Sequence, residues 1–206
     1  MSLNMDFDLA CNLALDQMPW VPSPGGEVER KKLEREGEES GWATTVVRFP
    51  PGSKFPKHGH PQGEEFLVLE GVFSDEHGDF PKHSYVRNPP GTSHAPFSEK
   101  GCVLFVKLCQ MHRDDHEEVV IRDAVNPQCA LRVLFRSEHE EVTLRNLAPG
   151  EELIVDGVEV LLLDGTMAMG EQTCPARAWM RFPRGSGQKL TCRTPAAIWQ
   201  KKRLTP

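Results

Sequence analysis

The sequence predicts an all-β protein made of two tandem copies of one small sandwich or barrel unit, the second copy degenerate. Three observations lead there. Seventeen Gly and seventeen Pro stand beside a single Tyr, a balance that suits short strands joined by tight turns better than long helices. Short apolar runs recur between Gly, Pro and Asp, the pattern of buried strands. The chain also repeats itself at an offset of 94 residues.

The repeat orders the chain. "EFLVLEGVF" (65–73) aligns with "EVLLLDGTM" (159–167), "YVRNPPGTSH" (85–94) with "WMRFPRGSGQ" (179–188), and "GCVLFVK" (101–107) with "PAAIWQK" (195–201). Upstream, "VVRFPPG" (46–52) answers "LRNLAPG" (144–150) at an offset of 98, so the second copy is four residues shorter there. Residues 1–25 are then an N-terminal arm, in which "DLACNLALD" (8–16) alone has a weakly helical pattern. Residues 26–110 form the first domain. Within it "ERKKLERE" (29–36) mixes both signs of charge and reads as a solvated face. Residues 111–127 are charged, end in Asn-Pro and suit an exposed connector. Residues 128–206 form the second domain.

Composition narrows the function. A net charge of −6 argues against a nucleic-acid surface, and no apolar run approaches the length of a membrane span. Asp6 and Asp8 stand where a secretory signal would be basic, so a cytoplasmic protein is expected. Cysteines 11, 102, 109, 129, 174 and 192 contain no C-x-x-C pair. They are expected to be reduced and mostly buried, and Cys102 and Cys109 to lie on opposite faces of one strand. Exposed sheet edges suit a homodimer.

The histidines are confined to one copy. Seven of the eight lie between positions 58 and 116. Where the first copy has His94 the second has Gln188. A general structural need would have kept histidine in both halves, so a site in the first half is the better explanation. There "HGHPQGEEF" (58–66) places His58, His60 and Glu64 between Gly52 and Gly71, and "NPPGTSH" (88–94) delivers His94. Alternate residues of a strand share a face, so His58 and His60 can present both imidazoles to one point. Pro61 and Gly63 then allow Glu64 to turn back toward it. Three imidazoles and one carboxylate suit Zn²⁺, Fe²⁺, Mn²⁺, Ni²⁺ or Co²⁺.

These two strings match the two cupin motifs. The stretch "GEEFLVLEGVFSDEHGDFPKHSYVRNPPGTSHAPFSEKGC" (63–102) closely resembles the cupin domain of ChrR-type anti-sigma factors. The resemblance covers roughly residues 26–110, with the second copy as a degenerate partner. It implies two tandem RmlC-like jelly-roll domains, a bicupin, with zinc held in the first barrel by His58, His60, Glu64 and His94 and none in the second. His83 and Ser98 depart from the second motif's usual Gly and Asn, and neither is a ligand. ChrR-type proteins also carry an N-terminal helical domain that grips the sigma factor. The residues ahead of position 26 contain one Cys and no His, so sigma-factor binding by that route is not expected.

The functional expectation is a zinc-binding sensory or regulatory module that responds to an oxidant or a small molecule in the cavity. The alternative is a metal-dependent enzyme, an Fe²⁺ dioxygenase or other small-molecule oxidoreductase. No catalytic residue is assigned. Glu65 should face away from the ligands as a surface carboxylate, His77 should be a turn residue, Tyr85 should pack in the core rather than face the cavity, and Trp179 and Trp199 should be core.

Overall fold

The computed structural model describes residues 2–24, 27–37 and 41–204. The expected boundary at positions 25 and 26 and the outermost ends of the arm and of the second domain, residues 1, 205 and 206, lie outside them. The chain forms two compact units, one from Met1–Met5 and Pro19–Ala124, the other from Asp6–Met18 and Val125–Pro206. Both are built from antiparallel strands. Among the described residues the one helical element is the 3₁₀ turn Leu15–Gln17, and no helix is long and apolar enough to cross a membrane.

In the first unit the strands run in the order Ser2–Leu3, Glu29–Glu36, Ala43–Phe49, Cys102–Leu108, Glu64–Asp75, Tyr85–Asn88, Val119–Ile121. A separate two-stranded ribbon pairs His58–His60 with Thr92–His94. The long strand Glu64–Asp75 is the spine. Its first half pairs with Cys102–Leu108 and Tyr85–Asn88, its second with Gly78–Pro81. It bends at Gly71, where φ is +70° and a Cβ would come within 2.0 Å of the Gly101 carbonyl oxygen; only glycine meets both conditions. The second unit repeats the device. Val158–Met169 spans the equivalent residues, and a Cβ on Gly165 would lie 2.2 Å from the Pro195 oxygen.

Each unit has a packed interior. Phe66, Val68, Phe73, Phe80, Val86, Leu104 and Val106 form much of the first. Val158, Val160, Leu162, Met167, Met180, Leu190 and Ile198 form much of the second. The opposite face of the central strands is also buried, and beside Leu67 and Phe105 it carries polar and charged groups. Glu65, 3 % exposed, accepts hydrogen bonds from the Tyr85 hydroxyl at 3.2 Å and from Arg87 at 3.1 Å. Arg87 also pairs with Asp115. In the second unit the Trp179 Nε1–H donates to Glu159 at 2.6 Å, with Arg181 paired in register opposite Glu159. Lys107 and Lys201, again 94 apart, are buried on Thr44 and on Glu140.

Several expectations are corrected by this packing. Glu65 is a buried hydrogen-bond acceptor rather than a surface carboxylate. Residues 29–36 form a strand in which Arg30, Lys31, Glu34 and Arg35 are all buried, because the strand is covered on both faces. Cys11–Ala14 is a strand, not a helix. It pairs with Ala178–Phe182, and that tertiary pairing outweighs a weak local periodicity. Part of 111–127 is ordered against the first unit, since Val119–Ile121 pairs with Tyr85–Asn88. Trp179 and Trp199 are buried, and His77 is exposed. All six cysteines are free; Cys102, Cys174 and Cys192 are buried, and burial pushes the Cys102 thiol up to about 11.

Glu65→Ala removes a buried acceptor shared by the Tyr85 hydroxyl and Arg87, while Arg87 keeps Asp115. It is therefore expected to cost about 1–3 kcal/mol of folding stability. Chemical denaturation of the variant beside the wild type measures it.

Candidate metal centre

The ribbon carries the three imidazoles. His58 and His60 are alternate residues of one strand, and His94 lies directly opposite His58 on the other, so all three rings share a face. Their centroids are 4.6–5.1 Å apart. Gly63, at φ +78°, turns the chain between the ribbon and the long strand; a Cβ there would strike the Met111 sulfur at 2.4 Å. The long strand then opens with Glu64, whose carboxylate faces the rings. The four ligand atoms all lie within 4.8 Å of one another. His60, Glu64 and His94 are buried and His58 is half-buried.

Hydrogen bonds set each ring's protonation. The His58 Nδ1 lies 3.0 Å from the Pro56 carbonyl oxygen, which can only accept. The His94 Nδ1 lies 3.1 Å from the Asp75 carboxylate. The His60 Nδ1 lies 3.1 Å from the Thr92 hydroxyl, whose own proton goes to the Pro89 carbonyl at 2.8 Å. All three Nδ1 atoms are therefore donors, and in the neutral rings each Nε2 carries a lone pair. The His60 and His94 Nε2 atoms face Glu64 Oε2 at 3.4 and 3.6 Å, and the buried His60 Nε2 has no hydrogen-bond partner among the described residues. Electron-rich atoms gathered this closely repel unless a cation lies among them. Asn88 Nδ2 donates to the same Glu64 oxygen at 3.1 Å and steadies it. The residues present thus fit a divalent transition metal.

Electrostatics differ from ring to ring. Burial lowers the His60 pKa, against the opposing pull of Glu64. Burial also pushes His94 down, but the Asp75 hydrogen bond and the charges of Glu64, Asp75 and Glu76 outweigh it, so His94 ends above its ordinary value. The chain just after His94 is tied by the Ala95 N–H, which donates to Glu76 at 2.7 Å and helps hold that carboxyl at about 2.

All four residues expected to bind metal are brought together. Thr92, Asn88 and Asp75, which orient them, were not singled out by sequence reasoning, although Thr92 and Asn88 sit inside the "NPPGTSH" motif. Tyr85 points to the Glu65 side of the sheet and not to the site. His83, His112, His116 and His139 do not join the cluster. His58, Glu64 and His94 form part of the wall of a cavity of about 110 Å³ inside the first unit. Most of the remaining wall is apolar and includes Phe49, Phe55, Phe73 and Leu104.

The family model described as the ChrR cupin-like domain matches residues 10–112, half of the chain. The chain belongs to that family. Solved cupin-fold structures resemble it over most of its length. The bacterial pirin YhhW of Escherichia coli, in complex with nickel(II), shares 12% identity with a TM-score of 0.72, over 96% of this chain and 100% of that one. Escherichia coli YlbA shares 15% with a TM-score of 0.71, over 97% and 93%. A salicylate 1,2-dioxygenase of Pseudaminobacter salicylatoxidans shares 11% with a TM-score of 0.60, over 78% and 70%. At such identities the likeness shows the cupin fold alone. No curated protein matches the chain.

Asp75→Asn keeps an acceptor for the His77 backbone N–H but removes the charge behind His94. It is expected to weaken metal binding by about 10–100-fold, measured by competition with a chromophoric chelator. Because His94 holds its proton more tightly than an ordinary histidine, proton competition should set in at a higher pH than for a free imidazole. Wild-type metal affinity should therefore fall as the pH is lowered through that range.

Proposed function

We propose that this cupin is a zinc-binding regulatory module whose metal centre, His58, His60, Glu64 and His94, reads out a small molecule or oxidant entering the adjoining cavity. The observation that carries the reading is the convergence of three Nε2 lone pairs and one carboxylate beside a cavity whose wall includes His58, Glu64 and His94. Membership of the ChrR cupin-like family supports a regulatory role and zinc as the ion. A bound divalent ion would supply Lewis acidity toward whatever enters. The chain's own residues then hold it: Asp75 keeps His94 in the Nδ1–H form, Thr92 does so for His60, and the phenylalanine wall limits water. The exposed edge strand Leu131–Arg136, with Leu131 and Val133 outward, supports a homodimer.

One observation favours a second reading, a metal-dependent oxygenase. Three of the four ligands line the cavity, so a bound ion would face open space where a substrate could reach it. Elemental analysis of protein purified without added metal separates the two. About one zinc per chain, lost in the His60→Ala/His94→Ala double variant, is expected. Iron in the wild type, with oxygen consumed on a small-molecule panel, would move the assignment to the oxygenase. No metal in either protein would contradict both readings.

A further inference from the structure

The turn that aims Glu64 at the histidines has a thioether seated on it. Gly63 is buried, and the space its Cβ would take is filled by sulfur: a Cβ there would lie 2.4 Å from Met111 Sδ and 3.2 Å from the Asn88 carbonyl oxygen. Both neighbours of that spot bear on the metal centre. Gly63 immediately precedes Glu64, and Asn88 donates to the Glu64 carboxylate at 3.1 Å. The segment that carries Met111 is itself anchored. The strand Cys102–Leu108 ends with Leu108 opposite Glu64, and the chain then turns at Cys109, where φ is +57°. The Cys109 N–H donates to the Gly63 carbonyl at 3.1 Å, and the buried Gln110 donates through Nε2 to the Ala43 carbonyl at 2.7 Å. The Gly63 N–H donates to the His60 carbonyl at 3.2 Å, and the same oxygen accepts from the Gly91 N–H at 2.8 Å. Met111 therefore packs on the junction between both ligand-bearing turns.

Met111 is half-buried, so a small oxidant can reach it, whereas Met167 and Met180 are enclosed in the core of the second unit. Two-electron oxidation turns the flexible apolar thioether into a polar, chiral sulfoxide. The added oxygen needs room, and beside the Asn88 carbonyl it meets another acceptor rather than a donor. The side chain must then leave its seat, and the turn that positions Glu64 loses the group packed on it. The nearby Cys109 thiol is a poorer target. Burial raises its pKa, which keeps it protonated, and the thiolate is the reactive form.

We propose that Met111 is an oxidation site coupled to the metal centre, where a peroxide converts the thioether to the sulfoxide and so weakens the hold of Glu64 on the ion. The sulfur lone pair attacks one peroxide oxygen, the O–O bond breaks and an S–O bond forms. With hydrogen peroxide the other oxygen leaves as water, the sulfur losing the two electrons that the peroxide gains. The proposal rests on the metal-binding reading and names the residue through which an oxidant acts on that site.

The test treats the zinc-loaded full chain with hydrogen peroxide, locates the modification by peptide mass spectrometry and measures zinc affinity by competition with a chromophoric chelator. Met111 sulfoxide is expected, with affinity lowered about tenfold and restored when methionine sulfoxide reductase repairs the residue. Met111→Leu keeps the apolar bulk without the sulfur and is expected to hold zinc equally well before and after peroxide. Oxidation mapped to Cys109 with Met111 intact, or Met111 sulfoxide with affinity unchanged, would overturn the proposal. An equal loss of affinity in Met111→Leu would do the same. If that variant does not fold, the wild type decides alone, since a loss that persists after Met111 is repaired contradicts the coupling. Untreated protein that takes up no zinc contradicts the metal reading, and the coupling with it. Full zinc uptake that peroxide leaves unchanged contradicts the coupling only.

Discussion

Three imidazoles can aim lone pairs at one point only if each ring's other nitrogen is occupied elsewhere. That constraint organises the first unit. Pro56, Thr92 and Asp75 each take an Nδ1–H, and each comes from a different part of the fold. Pro56 precedes the ribbon, Thr92 lies within it, and Asp75 ends the long spine strand. Glu64 opens that same strand, so one element supplies both a ligand and the group that orients another. The bend at Gly71 lets it do both, since without the bend Asp75 would continue along the first sheet. Ligand geometry and sheet architecture are here the same fact.

The second unit shows what the scaffold is when that constraint is lifted. The buried hydrogen-bonded face behind its interior is kept: Glu159 and Trp179 repeat Glu65 and Tyr85, and Lys201 repeats Lys107 as a buried cation. Its interior is not. Glu64 becomes Val158, Phe73 becomes Met167 and His94 becomes Gln188, which is exposed. Val158 and Met167 join an apolar core with Val160, Leu162 and Ile198. This second buried network therefore belongs to the stability of the unit. The inward histidines belong to the chemistry of one copy.

The strands and the ligands could be read from sequence because both have local signatures. Alternation and turn residues mark "EFLVLEGVF", and the H-x-H-x₃-E spacing follows from the pleat of a strand and one glycine turn. Asp75 was not legible, because its link to His94 depends on how far the spine strand bends. The burial of Arg30 and Arg35 was hidden for another reason. A strand covered on both faces has no apolar–polar alternation to read, and the bulge between Lys32 and Glu34 leaves no mark in composition. Residues 8–16 misled because four residues of strand were recruited by pairing with Ala178–Phe182 rather than by their own pattern.

The central claim is that one divalent ion sits among three imidazole Nε2 atoms and the Glu64 carboxylate. X-ray absorption spectroscopy of the zinc-loaded protein tests it most directly. The account predicts a shell of nitrogen and oxygen ligands alone at about 2.0–2.2 Å, with the outer scattering of about three imidazoles. A sulfur ligand near about 2.3 Å, or a shell without imidazole scattering, would contradict it.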